Sequence, residues 1–199
     1  MDKKGAAEEL RVLLIDDDRG RSALLEQALS DAGYIVIARF GTGENIATLV
    51  SLHQPDVIIV DLDSPDRDTL EHMHTISRDQ PRPIVMFAET DDSDAIHKAI
   101  KAGVSAYIVD GLNSKRVKSV MEVAIARFRE YQALRDELER TKVSLEERQL
   151  VDRAKALLIK RRGMSEEEAY RALRKLAMDR GIKLVEAARN IISVLDLLG

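Results

Sequence analysis

Five short runs of apolar, largely β-branched residues recur through the first half of the chain, each followed by an amphipathic helical stretch. They are Val12-Leu13-Leu14-Ile15, Tyr34-Ile35-Val36-Ile37, Val57-Ile58-Ile59-Val60, Pro83-Ile84-Val85-Met86-Phe87 and the segment from Val104 to Val109. Runs without polar alternation belong in strands buried on both faces, which implies a parallel sheet covered by helices on each side. The intervening segments supply those helices: one carries Leu24, Leu25, Ala28 and Leu29 before Gly33, and others run around Ile46 to Leu52, Asp68 to Arg78 and Ser93 to Ala102. Five such units predict one doubly wound α/β domain of strand order 2-1-3-4-5 over residues 10–114, after an N-terminal tail at 1–9. In that topology the functional crevice lies beyond the carboxyl ends of the strands. Asp16, Asp17 and Asp61 all fall there.

A second pattern takes over at Lys115. Neither Pro nor Gly occurs from there to Arg148, and Val117, Val120, Ala124, Arg127, Tyr131, Leu134, Leu138, Thr141 and Leu145 alternate at spacings of three and four. That is a heptad seam, interrupted at Arg127 and Thr141. Up to about Phe128 it reads as the last helix of the α/β domain. Beyond it, Tyr131, Leu134, Leu138 and Leu145 require a partner helix, and a parallel homodimer is expected. Residues 115–147 are thus assigned as that last helix extending into a coiled-coil linker.

Residues 148–199 form a separate region of three short helices. The first is expected from about Gln149 to Arg161, before Gly163. Ser165 and Glu168 have the spacing of a capping box that opens the second, and the third begins near Leu184. This region holds 12 Lys/Arg against 7 Asp/Glu, while residues 1–147 hold 19 against 28. A basic tail on an acidic body points to a polyanionic partner. Arg153, Lys155, Lys160, Arg161 and Arg162 crowd the first helix, and Arg171, Arg174 and Lys175 lie along the second. Tyr170, the one aromatic residue of the tail, fits either a half-buried position between helices or a stacking surface. Arg161 and Arg162 fit either a helix C-terminus stabilised by cations or a contact with a polyanion.

Other chemistries are excluded by what is missing. The sequence has no cysteine, hence no disulfide or thiolate metal site. Its opening, MDKKGAAEELR, lacks an apolar signal core, and no apolar run approaches about 18 residues, so a soluble cytoplasmic protein with no membrane partner is expected. No phosphate loop, nucleophile elbow or zinc motif is present, and His72 and His74 read as surface residues. The chain is not expected to be an enzyme.

The acidic positions carry a family resemblance. Asp16-Asp17 in VLLIDDD, Asp61 in VIIVDLDSP and the segment AGVSAYIV together resemble the receiver domains of two-component response regulators, which have a flavodoxin-like fold. The resemblance implies Asp61 as phosphoacceptor and Asp16, Asp17 and Asp61 as ligands of Mg²⁺, a hard cation that prefers oxygen donors. Two positions depart from the active pattern. Ala88 stands where the family has Thr or Ser, and Asp110-Gly111 where it has Lys-Pro. An anion in place of that cation opposes a phosphoryl group, so control by a bound protein is favoured over phosphorylation of Asp61. No cofactor is required on this reading, Mg²⁺ at the acidic pocket being the one candidate.

The tail resembles the ANTAR domain, the RNA-binding module of AmiR- and NasR-type antiterminators. The matching residues are Ala154-Lys155, Gly163-Met164-Ser165-Glu166-Glu167-Glu168-Ala169-Tyr170, Leu173-Arg174, Ala177-Met178, Ala187-Ala188 and Ile191-Ile192, with Ala156 replacing the family's Gly. The resemblance implies binding of paired hairpin loops in a nascent leader mRNA and transcription antitermination. The RNA contacts would come from Arg153, Lys155, Lys160, Arg161, Arg171, Arg174 and Lys175, with Lys155 and Arg174 foremost. The stretches DLDSPDRDTLE, PIVMF and AGVSAYIVDGL look like NasT-type regulators of nitrate and nitrite assimilation, which implies a nitrate-sensing protein partner. Two rivals compete with this reading: a phosphorylation-activated DNA-binding response regulator, and a module that binds only proteins.

Overall fold

The computed structural model describes residues 9–109 and 116–197, and the Asp110-Gly111 position falls outside them. Contacts divide the chain into one unit up to Gln132 and another from Ala133. The first unit begins with β1 (Arg11–Asp16), α1 (Arg19–Asp31), β2 (Ile35–Phe40), α2 (Ile46–His53) and β3 (Val57–Leu62). It continues through α3 (Arg67–Asp79), β4 (Ile84–Ala88), α4 (Ser93–Lys101) and β5 (Ala106–Val109). All strand pairs are parallel and the order is β2-β1-β3-β4-β5.

Successive side chains of a strand point to opposite faces, so each apolar run feeds two cores. On one side, Leu13, Ile15, Ile58, Val60, Ile84 and Met86 meet Ile46, Val50, Met73 and Ile76 of α2 and α3. On the other, Val12, Leu14, Val57, Ile59, Val85 and Phe87 meet Leu25 and Leu29 of α1, and Val117, Met121 and Ala124 of the next helix. The central strands are buried along their length apart from Arg11 at the start of β1, whereas the edge strands β2 and β5 are largely half-buried. Turn chemistry supports this layering. Asp18, Asn45, Asp66 and Asp92 accept backbone N–H bonds at the starts of α1 to α4. Gly103 has φ 101°, and a Cβ there would lie 2.4 Å from Ser77 of α3, so neither the conformation nor the space admits a larger residue.

Helix α5 (Val117–Arg162) differs from the expected arrangement, in which a new helix begins near Gln149. It is continuous because its 46 residues contain neither Gly nor Pro, and the first stop is Gly163, whose φ is 68°. Its early turns bury Val117, Met121, Ala124 and Ile125, while Tyr131, Leu134, Leu138 and Leu145 are all more than half exposed.

The second unit ends with α6 (Glu166–Arg180) and α7 (Leu184–Leu197). Ala154 and Leu158 of α5, Ala169 and Leu173 of α6, and Ala188, Ile192 and Leu195 of α7 form its core. The expected capping box is present: Ser165 Oγ accepts from the Glu168 N–H at 3.2 Å, and Glu168 Oε2 accepts from the Ser165 N–H at 2.8 Å. Three of its members, Ala154, Ala169 and Ala188, are alanines fully buried in that core.

Candidate regulatory pocket and nucleic-acid interface

The register of the sheet places Asp16 directly beside Asp61 at the carboxyl ends of β1 and β3. By strand alternation both face the side covered by α1. Each is buried, at 5% and 2% exposure. The chain's own donors hold Asp16: its Oδ1 accepts from the Asp18 N–H at 2.8 Å, and its Oδ2 lies 2.7 Å from Ser22 Oγ. The Ser22 hydroxyl is also 2.6 Å from the Asp18 carbonyl, so its single proton serves two acceptors.

Arg21, in the first turn of α1, reaches back into this cluster. Its Nε is 3.1 Å from Asp61 Oδ2, its Nη2 3.4 Å from Asp16 Oδ1 and its Nη1 3.5 Å from Asp63 Oδ1. The contact with Asp61 is an ion pair without the alignment of a hydrogen bond, and neither atom has a hydrogen-bond partner among the described residues. Burial pushes the Asp61 carboxyl up to about 6; the Arg21 charge opposes this, while Asp16, Asp63 and Asp18 reinforce it. Burial pulls the Arg21 guanidinium down, but attraction to Asp61 and Asp16 prevails and holds it above its ordinary value.

Asp17 turns elsewhere. Its Oδ1 accepts from the Thr42 N–H at 2.9 Å, and its Oδ2 accepts a short hydrogen bond from the Thr42 hydroxyl. Gly41 makes room for it, since a Cβ there would lie 2.7 Å from Asp17 Oδ1. Asp16 and Asp61 are therefore brought together, and Asp17 is drawn away from them. The fit to Mg²⁺ is poor on this geometry: a guanidinium already contacts the acidic oxygens, and no cluster of three metal-ligating side chains forms among the described residues. Ala88 ends β4 beside Leu62 and Val109, buried and without a hydroxyl. Arg21, Ser22, Thr42 and Asp63 are functional-site residues that no motif in the sequence marks. Asp18 was the available signal, because a cap at that position directs the next helical turn back toward the strand end.

In the second unit the basic residues divide by pairing. Lys155 Nζ is held between Asp152 Oδ1 at 2.8 Å and Glu166 Oε1 at 3.0 Å, and its side chain is only 18% exposed. The hydrogen bond from Lys155 keeps Asp152 below the usual carboxylate range. Arg153 pairs with Asp196, and Arg171 with Glu167 one turn earlier on α6. Lys160, Arg161, Arg174 and Lys175 are exposed and form no ion pair among the described residues. Tyr170 is 43% exposed and stands one helical turn from Arg174, with Met178 a turn further along, so it lies on the outer face of α6. The foremost sequence candidates thus part company. Arg174 has no ion-pair partner among the described residues, whereas Lys155 is engaged by two acids.

A family model for the response regulator receiver domain matches residues 12–122, and one for the ANTAR domain matches residues 139–192. The transcriptional regulatory protein PdtaR of Mycobacterium tuberculosis is 33% identical over 190 residues, covering 96% of this chain and 93% of that protein. The nitrate regulatory protein of Klebsiella oxytoca is 38% identical over 85 residues, 43% of this chain but 22% of that protein. Among solved structures, the receiver domain of a modulated diguanylate cyclase from Desulfovibrio desulfuricans superposes with a TM-score of 0.53 at 22% identity, over 60% of this chain and 96% of that one. That likeness concerns the fold of the first unit alone.

Proposed function

The chain belongs to the response regulators that join a receiver domain to an ANTAR domain, a non-enzymatic family, and on that premise we propose that it regulates transcription antitermination by binding RNA. The observation that carries this reading is the outer face of α6, where Tyr170, Arg174 and Lys175 are exposed and neither cation has an ion-pair partner among the described residues. Unpaired cations neutralise phosphates at no cost in broken ion pairs, and an exposed aromatic ring one turn away offers a surface for an unstacked loop base.

The apolar seam of α5 supports a dimer. Tyr131, Leu134, Leu138 and Leu145 are 61, 65, 55 and 56% exposed, a heptad stripe that a second copy would cover. A dimer presents two ANTAR units, which suits two adjacent hairpin loops and raises affinity through effective concentration. Binding would favour an antiterminator hairpin over the competing terminator. A nitrate-sensing partner is the finer form of the proposal, supported by the match to the Klebsiella nitrate regulatory protein.

Single-round transcription through a leader containing two hairpins and a terminator tests the reading. Added protein is expected to increase read-through several-fold on that template. It should do nothing on a template whose first hairpin loop is replaced. Equal read-through on both templates would remove RNA recognition from the account.

A further inference from the structure

The acidic pocket already holds a cation that the chain itself supplies. We propose that the Arg21 guanidinium is a tethered replacement for that cation, bridging Asp16, Asp61 and Asp63 from the first turn of α1, so that this receiver keeps one state without metal. The inference concerns the receiver alone and stands apart from the RNA reading of the other unit.

Three features of the fold place the guanidinium there. Asp16 and Asp61 are register partners on the face that α1 covers. Asp18 caps α1 by accepting the N–H groups of Gly20 and Arg21 at 2.7 and 3.0 Å, which fixes the first turn against the strand end. Arg21 then meets each carboxylate with a different nitrogen: Nη2 to Asp16, Nε to Asp61 and Nη1 to Asp63. A planar fork can span three acceptors in this way, whereas a lysine ammonium is a single point of charge.

Asp16 and Asp17 also carry hydrogen bonds from the chain's own donors. Both Asp16 oxygens accept from the chain's own donors, and Asp17 is bound to Thr42 in the space left by Gly41. A divalent ion entering beside Asp61 would lie within a few ångströms of a guanidinium, where like charges repel strongly. The excess negative charge at Asp16, Asp61 and Asp63 is thereby lowered by a residue that cannot dissociate. A receiver built this way has no use for a metal-dependent phosphoryl transfer, and a protein binding elsewhere on its surface remains as an input.

The test is thermal unfolding of the full chain with and without millimolar MgCl₂, ionic strength matched with NaCl, for the wild type and for Arg21→Met. The wild-type transition is expected to ignore Mg²⁺. Arg21→Met removes the guanidinium that contacts the three carboxylates, and its receiver transition should rise by about 4 °C or more when Mg²⁺ is added. Arg21→Lys serves as the second variant should Arg21→Met fail to fold; its smaller cation leaves part of the site open, so Mg²⁺ should still raise its transition. A rise in the wild type as large as in the variants would overturn the proposal, because Arg21 would then yield to the metal. No rise in either variant would overturn it equally, because the acids would not form a cation site.

Discussion

Arg21 Nε lies 3.1 Å from Asp61 Oδ2, a contact between a cation of the first turn of α1 and the carboxylate at the family's phosphoacceptor position. Asp61 is buried among acids, and this one guanidinium carries most of the compensation available to it. Breaking such a pair from one side leaves an uncompensated charge, so the two residues act as a unit.

Asp61 should make stability depend on pH. Its folded value is raised from 3.8 to about 6, so the unfolded chain gives up this proton first as pH rises. The stability it contributes is complete below about pH 3.8 and is lost as pH rises through about 6. Relative to Asp61→Asn, the wild type is expected to lose about 1–2 kcal/mol between pH 5 and pH 8, measured by urea denaturation. A constant difference across that range would contradict the burial assigned to Asp61. The same variant should bind RNA as the wild type does, and a large change in affinity would restore Asp61 as the regulatory switch.

Leu138→Glu should convert a dimer into a monomer. The residue is 55% exposed in the single chain, so the substitution costs the monomer little, and Glu retains good helix propensity. Light scattering after size exclusion reads the mass. A monomeric wild type at micromolar concentration would remove the coiled coil from the account.

Arg174→Ala should weaken RNA binding by roughly tenfold and lower the salt slope of log affinity by about one, as expected for a lost phosphate contact. Tyr170→Ala should weaken binding to hairpin loops more than to unstructured RNA of equal length. Lys155→Ala is expected to act chiefly on the tail itself, because that amine is held by Asp152 and Glu166. Its thermal transition should fall, while the binding slope changes less than for Arg174→Ala.

Ser165→Ala removes one side of the capping box and should destabilise the second unit by about 1 kcal/mol. Circular dichroism during urea unfolding would report this as an earlier transition of the tail helices.

Much of the fold could be read from periodicity. The five apolar runs are the five strands, and their order follows from the doubly wound pattern. Local rules also located the Ser165–Glu168 capping box and the stop at Gly163. Relations that depend on space more than spacing were not legible. Asp17 follows Asp16 in sequence, yet its carboxylate bonds to Thr42, 25 residues away. Lys155 meets Glu166 across a helix turn and an intervening loop, which no helical wheel of α5 contains. Tyr170 fitted either face of a helix on pattern alone, and it is 43% exposed while Ala169 and Leu173 of the same helix pack inward. Arg21 was not legible because arginines directly after an acidic run, here Arg19 and Arg21, read as solvated surface.

The central claim is that the ANTAR unit reads RNA, and titration of the full-length protein against a two-hairpin leader RNA tests it most directly. A single-hairpin RNA and a DNA duplex of similar length, each at two salt concentrations, complete the comparison. The account predicts tightest binding to the paired hairpins, a loss of affinity with salt, and a further loss on Arg174→Ala. Equal or tighter binding to duplex DNA, unaffected by Arg174→Ala, would contradict it.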